Sequence, residues 1–458
     1  MERQPPEGLA STPISRRRAL QLGAGFAGAA AFGLTGCTRA TPTPPQPPEQ
    51  GDGRGLVFLS TQLRPVEEAE KMRERILAGY DGVVTFIGSD SSPFIERVRA
   101  EAAAGKGTVA LVGAQHGDLA SLASEGLLLD LDDLAHDLAD RNFNPDFLEL
   151  ARLGDGRAWY IPWAQSTYLM AARKEAVDML QDGVDIAAFS YDELLSWAAR
   201  VNREQGGRKL GFPAAQDGLL RRFLQGYAYP SFTGRLHARF KSTDAVTMWS
   251  WMRRAWAESN PRSPTYAFMH KPLQSGEVWI AWDHVARLVE ALKAGPAQFI
   301  AFPAPTGPRG LGYVIVPSGL AIPRSGPDPD GAKRLIRYLT EPSTAEVTLR
   351  EVGFFPPTTD FNAPASLGAG IRTEAIAVQQ QAANPRALAS LLPVGLQNRG
   401  RDYDDVFYST LDDVVAEREP IPAVLEARGR QLQAILDSVR ARCWRPDPPS
   451  TGTCQVGG

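Results

Sequence analysis

Gly55-Leu56-Val57-Phe58-Leu59-Ser60, Val83-Val84-Thr85-Phe86-Ile87 and Thr108-Val109-Ala110-Leu111-Val112 decide the fold class. Each is a short apolar run rich in branched residues, which reads as a buried strand. Between them the apolar spacing changes to that of helices. Val66, Ala69, Met72, Ile76 and Leu77 recur as in a helix over 66–77, and Phe94, Val98 and Ala102 as in one over 94–104. A further helix over 118–125 is closed by Gly126. Strands alternating with helices predict a largely parallel sheet, with ligands at the carboxyl ends of its strands. The loops expected there are Thr61-Gln62-Leu63-Arg64, Gly88-Ser89-Asp90-Ser91-Ser92 and Gly113-Ala114-Gln115-His116-Gly117. All carry hydrogen-bonding side chains.

Upstream of the first strand the chain reads as an export signal. Arg16-Arg17-Arg18 precedes an Ala/Gly-rich apolar run, Ala19 to Leu34, which ends at Leu34-Thr35-Gly36-Cys37. Basic, apolar and small residues in that order mark a secretory signal, and paired arginines favour twin-arginine export. The run falls short of the roughly 20 residues that span a bilayer, a permanently spanning helix being the alternative. Leu34-Thr35-Gly36-Cys37 resembles a bacterial lipobox, which implies that Cys37 is acylated and becomes the first mature residue. Each buried lipid methylene adds about 0.8 kcal/mol of membrane affinity. Gly23-Ala24-Gly25-Phe26-Ala27-Gly28 fits G-x-G-x-x-G, but no strand precedes it, so it is not a dinucleotide site. Thr41-Pro42-Thr43-Pro44-Pro45-Gln46-Pro47-Pro48 then forms an extended spacer of roughly 20–30 Å, at about 3.1 Å per residue.

About 400 residues follow the spacer, enough for two lobes. Net charge is −3, and −5 once residues 1–36 are removed, which argues against nucleic acid as a partner. With Cys37 assigned to lipid, Cys443 and Cys454 remain in a Pro/Gly-rich tail. They either close a loop worth about 2–3 kcal/mol outside the cytoplasm or stand as unrelated thiols. The five histidines are scattered without metal-ligand spacing, and nothing calls for a cofactor.

Further along, several segments occur in a telling order. Gly126-Leu127-Leu128-Leu129-Asp130-Leu131 leads to Trp159-Tyr160-Ile161-Pro162-Trp163, and then to Tyr168-Leu169-Met170-Ala171-Ala172-Arg173. Ser190-Tyr191-Asp192-Glu193-Leu194-Leu195 opens a helix. Ser275-Gly276-Glu277-Val278-Trp279-Ile280-Ala281-Trp282 precedes Gly319-Leu320-Ala321-Ile322-Pro323, and Tyr338-Leu339-Thr340-Glu341-Pro342 closes the series. Over roughly residues 55–440 the chain resembles the extracellular solute-binding proteins of carbohydrate ABC transporters, the maltose-binding-like group.

The resemblance implies an α/β, two-lobed periplasmic-binding-protein-like fold with a hinge and an interlobe cleft. The expected division is 1–36 signal peptide, 37–54 linker, 55–161 plus 319–356 lobe one, 164–315 plus 357–445 lobe two, and 446–458 tail. It implies a monomer, lipid-anchored outside the cytoplasm of a bacterium, that binds a sugar or oligosaccharide and delivers it to an ABC permease. Flat side chains would cover the sugar faces and polar ones the hydroxyls. Trp163 and Gln165 follow the first hinge strand, with packing at the lobe junction as the alternative for Trp163. Tyr227 and Tyr229 sit in Gly226-Tyr227-Ala228-Tyr229-Pro230-Ser231-Phe232-Thr233-Gly234, expected as a broken loop that delivers a stacking ring, with core packing as the alternative. Trp282, Asp283 and His284 end a strand facing the cleft, unless Asp283 is only a helix N-cap. Gln62, Arg64, Gln115, His116 and Asp118 form the opposite wall. Phe354-Phe355-Pro356-Pro357 is a hinge-side wall or, more in keeping with its composition, core.

Catalysis finds no support: there is no G-x-S-x-G, H-E-x-x-H or P-loop. The acid pairs Asp132/Asp133, Asp404/Asp405 and Asp412/Asp413 read as solvated helix faces or caps. A phosphorylated solute such as a glycerol phosphate ester is the competing ligand, and would use Arg64, Arg221 or Arg222. A secreted glycoside-active enzyme is the remaining alternative.

Overall fold

Leu56–Ser60 (β1), Val84–Gly88 (β2) and Leu111–Gln115 (β3) pair in parallel with β1 in the middle, so that Leu56 faces Val84 and Phe58 faces Leu111. The chain winds to one side of β1 and then to the other, which opens a crevice at the carboxyl ends of β1 and β3. The computed structural model describes residues 55–63, 66–361, 363–364 and 366–458. The export signal, Cys37, the Pro-rich spacer and Arg64 lie outside the described residues.

β3 starts three residues later than the apolar run at 108–112 predicts. Glu101 is the reason. Its carboxylate accepts the backbone N–H groups of Thr108 and Val109 at 2.7 and 3.0 Å, and the Thr108 hydroxyl at 2.5 Å. Those amides are satisfied before the strand begins, and the first sheet bond here is Ala110 N–H to Val57 O at 3.0 Å. Two flanking helices, Ser91–Ala103 and His116–Ser124, begin at the strand ends; Gly126, at φ 71°, takes the left-handed position after the second.

The chain continues through Ile161–Ser166 (β4), Tyr168–Arg173 (β5), Leu210–Gly211 (β6), Ile280–His284 (β7), Phe299–Phe302 (β8), Leu311–Ala321 (β9) and Ala387–Leu391 (β10). The first sheet runs β10-β9-β3-β1-β2, with β4 also on β9; the second runs β6-β7-β5-β8. The β3-β1-β2 end of the first sheet and the second sheet form the two lobes, and β10 with the first half of β9 packs on the core of the second. β9 is the long tie between them. Its first half pairs with β10 in parallel, and its second half pairs antiparallel with β3 and β4.

The passage from first to second sheet occurs at Thr167, between β4 and β5, just beyond the expected 161–163. Its hydroxyl donates to Val314 O at 2.6 Å and meets Tyr227 Oη at 3.2 Å, and Gln381 Nε2 donates to it at 3.2 Å. All these side chains are buried. A second link lies at Gln165, whose N–H and C=O exchange bonds of 2.8 and 2.9 Å with Phe355.

The segment 226–234 is helical rather than a broken loop. Leu220–Phe223, a wide π turn Leu224–Ala228 and Tyr229–Thr233 follow one another, ending at Gly234 with φ 76°. Pro230 has no N–H for the carbonyl of Gly226, and Ser390 Oγ donates to that oxygen instead, at 3.3 Å. Gly226 also lets the helix lie against β9, since a Cβ there would fall 2.1 Å from Val314 Cγ2.

Apolar side chains collect on both faces of each sheet. Phe58, Leu111, Trp163 and Ile336 pack on one face of the first, and Leu59, Val112, Leu122 and Tyr160 on the other. The second lobe holds an aromatic core that includes Tyr168, Tyr191, Tyr227, Tyr229, Trp249, Trp251 and Trp282.

Candidate functional site

A cleft of about 880 Å³ opens at the carboxyl end of β3. One wall comes from the first lobe: Ser91, Ser92, Ile95, Glu96 and Arg99 of helix Ser91–Ala103, then Gln115, His116, Asp118, Ser121, Ser124 and Glu125. Val316 and Pro317 of β9 form the floor. The facing wall is Leu391 at the end of β10, the segment through Pro393, Leu396 and Asn398, Asp404 and Arg222.

The polar wall is braced from behind. Asp118 accepts from Thr61 Oγ1 at 3.3 Å and Ser91 Oγ at 3.2 Å. Gln62 Nε2 donates to Thr61 Oγ1 at 3.3 Å, and its own N–H bonds Ser60 Oγ at 3.0 Å. Gln62 is therefore a buried support for Asp118 rather than a lining residue. His116 Nδ1 lies 2.9 Å from Tyr160 Oη, and burial pulls its pKa down to about 4, so the ring is neutral at pH 7. Arg99 and Glu125 make a bidentate pair at 2.7 and 2.5 Å; the paired guanidinium lowers the Glu125 pKa.

Across the cleft, Arg222 grips Asp404 at 3.0 and 3.3 Å, and Gln225 Nε2 adds a bond at 3.0 Å. Arg221 Nε lies 2.7 Å from the same carboxylate. Two guanidiniums share one carboxylate. For Arg221, burial lowers the pKa but Asp404 and Tyr408 outweigh it, leaving a net rise. The reading of Asp404 as a solvated helix face is thus corrected: its side chain is only 17% exposed and belongs to this cluster.

The structure gathers Gln115, His116 and Asp118 on one wall but does not bring the aromatic candidates to them. Trp163 packs edge-on against Phe58, with ring centroids 5.8 Å apart. Gln165 Nε2 is spent on Pro356 O at 2.8 Å. Tyr227 ties Tyr168 to Thr167 within the core, its hydroxyl donating to Tyr168 O at 2.7 Å. Tyr229 stacks on Phe240, donates to Phe240 O at 3.2 Å and accepts from Trp249 Nε1 at 3.0 Å. Trp282 lies flat on Tyr168, centroids 4.9 Å apart and planes 2° apart. Asp283 accepts from Met269 N and His284 N at 2.9 and 2.8 Å, and burial raises its pKa to about 6. The helix N-cap is its neighbour: His284 Nδ1 accepts from Ala286 N at 3.2 Å, so Nε2–H donates to Ser166 Oγ at 2.9 Å. Tyr227, Tyr229, Trp282 and Asp283 lie in the second lobe's interior because the strand and helix that carry them are covered on both faces, whereas Trp163 lies in the core of the first lobe. Among the described residues, no Trp, Tyr or Phe lines the cleft.

The segment 391–398 escaped the sequence reading. Its only signal was Pro393 and Gly395 breaking an apolar run after β10. Cys443 and Cys454 form a disulfide, and the tail around them is docked: Trp444 and Cys454 are buried. Among the described residues, no helix is long and apolar enough to cross a membrane, and no group of His, Cys, Asp and Glu is placed to hold a metal ion.

The family model described as "Bacterial extracellular solute-binding protein" matches residues 71–373. Among solved structures, the sugar-binding protein MalE from Xanthomonas citri aligns with a TM-score of 0.67 at 17% identity, over 84% of this chain and 98% of that one. Maltose-bound MalE3 of T. maritima gives 0.65 at 19%, over 83% and 100%. UgpB from Mycobacterium tuberculosis, in complex with glycerophosphocholine, gives 0.65 at 20%, over 84% and 98%. At these identities the likeness concerns the fold. No curated protein sequence matches the chain.

Proposed function

We propose that this chain, which belongs to the bacterial extracellular solute-binding protein family, captures a sugar or oligosaccharide in the cleft above β3 for import by an ABC permease. Members of the family are binding receptors, not enzymes. One observation carries the sugar reading: the cleft is amphipathic without being aromatic. Ser91, Ser92, Gln115, His116 and Asp118 offer donors and acceptors on one side, while Val316 and Pro317 on the floor and Leu391 and Pro393 on the facing wall offer aliphatic surface. A sugar ring has C–H faces and an equator of hydroxyls, and this pair of walls suits both. Proline and leucine take the covering role expected of stacked rings. A cleft of about 880 Å³ is large enough for an oligosaccharide.

The chain would be exported by the twin-arginine route and held by lipid at Cys37, with the lobes 55–161 plus 319–356 and 164–315 plus 357–445 closing on the solute. Gln115, His116 and Asp118 are proposed contacts, with Gln62 supporting Asp118. A phosphorylated solute is the second reading, favoured by Arg222: the cluster of Arg221, Arg222 and Asp404 carries one positive charge more than it cancels.

A thermal-shift screen separates these. Maltose, maltotriose, galactose and glycerophosphocholine are tested against the purified mature chain. A solute at about 100 Kd adds roughly 2.7 kcal/mol of stability. The sugar reading expects a shift with a sugar that Gln115→Ala weakens. A shift confined to glycerophosphocholine and removed by Arg222→Ala establishes the second reading and sinks the first.

A further inference from the structure

We infer that the disulfide-closed segment 443–454 is a positioning element for the second-lobe wall of the cleft, holding Asp404 and residues 391–398 in place; the inference rests on that cleft being the solute site. Two lines of attachment run from the segment to the wall.

The first passes through Asp447, which is buried inside the loop that Cys443 and Cys454 close. Its carboxylate accepts the N–H groups of Leu236, His237 and Ala238 at 3.1, 2.9 and 3.0 Å, and His237 Nδ1–H at 3.1 Å. On its other side, His237 Nε2 lies 2.9 Å from the Tyr403 hydroxyl. Trp444 presses edge-on against His237, centroids 4.5 Å apart. Tyr403 immediately precedes Asp404 on helix Gly400–Leu411, so its anchoring sets where the Asp404 carboxylate meets Arg222. Side chains so fully buried and bonded hold one arrangement.

The second line is main chain. Leu391, the last residue of β10 and the first of the cleft wall, donates its N–H to Arg445 O at 3.0 Å. The Arg445 side chain reaches Asp146 of helix Pro145–Arg152 in the first lobe, at 3.2 Å. Reduction frees the ends of a segment that touches both edges of the wall. A tail that served only as a general staple would stabilise the two walls alike.

Hydrogen exchange on the full mature chain decides between them. Wild type is compared with the double variant Cys443→Ser/Cys454→Ser and with Asp447→Asn, well below their melting temperatures. The expected result is exchange about tenfold faster across 391–411, with 116–125 on the opposite wall unchanged. Acceleration confined to 443–458, or equal at both walls, overturns the proposal. If those variants do not fold, Tyr403→Phe removes a single hydroxyl, and unchanged exchange at 400–411 in that variant overturns it too. Calorimetry with maltotriose and glycerophosphocholine adds the functional readout: Kd rises about tenfold in Asp447→Asn for whichever probe wild type binds. Unaltered affinity overturns the positioning role. Wild type binding neither probe tells against the cleft reading alone, while the exchange comparison still decides the tail's role.

Discussion

His284→Asn tests whether this histidine is a half-buried cap or a cleft group. Its pKa is lowered from 6.5 to about 3, chiefly by burial, with the charge of Arg287 adding to the effect. A depressed folded-state pKa means that stability is complete above pH 6.5 and is lost as pH falls toward 3. Integrated over that range, the neutral ring accounts for about 5 kcal/mol, of which about 3 is already gone at pH 4. Asparagine can keep the cap, because its side-chain oxygen can accept the Ala286 N–H as Nδ1 does. It forgoes the Ser166 contact, a loss of about 1 kcal/mol, and carries no titrating group. The variant should thus be about 1 kcal/mol less stable at pH 7 and about 2 kcal/mol more stable at pH 4, with the two curves crossing near pH ~6. Urea melts of both proteins at half-unit pH steps measure this difference directly. Parallel curves from pH 4 to 7 would mean that His284 titrates normally in solvent, and the packing argument for β7 would be lost.

Two further outcomes follow from the same structure, and a third from the proposed lipid anchor. Trp282→Ala should cost about 3–5 kcal/mol in a urea melt, because its ring is buried against Tyr168; a loss under about 1 kcal/mol would return Trp282 to the cleft. Glu374 is fully buried, neither of its carboxyl oxygens has a partner among the described residues, and burial raises its pKa well above 4.5. The folded state therefore binds the extra proton, and stability falls as pH rises above 4.5; Glu374→Gln should be the more stable protein at pH 8, and an equal or lower melting temperature there contradicts the burial argument. Cys37→Ser should release the protein from the membrane fraction into the soluble fraction on cell fractionation, while retention of the serine variant in the membrane tells against lipid at that residue.

Local chemistry made the architecture legible in advance. Short β-branched runs alternating with 3.6-residue periodicity specify a wound parallel sheet, since each element must bury one face on its neighbours. The crevice at the carboxyl ends follows from winding both ways from β1, and that is why Gln115, His116 and Asp118, which come directly at and after β3, fall on its wall. What the run of residues did not reveal was which side of a covered element each ring would face. Tyr227, Tyr229 and Trp282 look alike as letters whether they line a groove or a core. Their fate was set by helices packed over the second sheet, and by a π turn that let Pro230 stay in a helix with Ser390 supplying the missing bond. Asp404 became a cleft residue only because Arg221 and Arg222, far away in the chain, came to meet it. Sequence alone decided the elements and their winding, because those depend on neighbours within a turn or a strand. The tertiary structure alone decided the second wall of the cleft, because its residues come from separate stretches that only the packed lobes bring together.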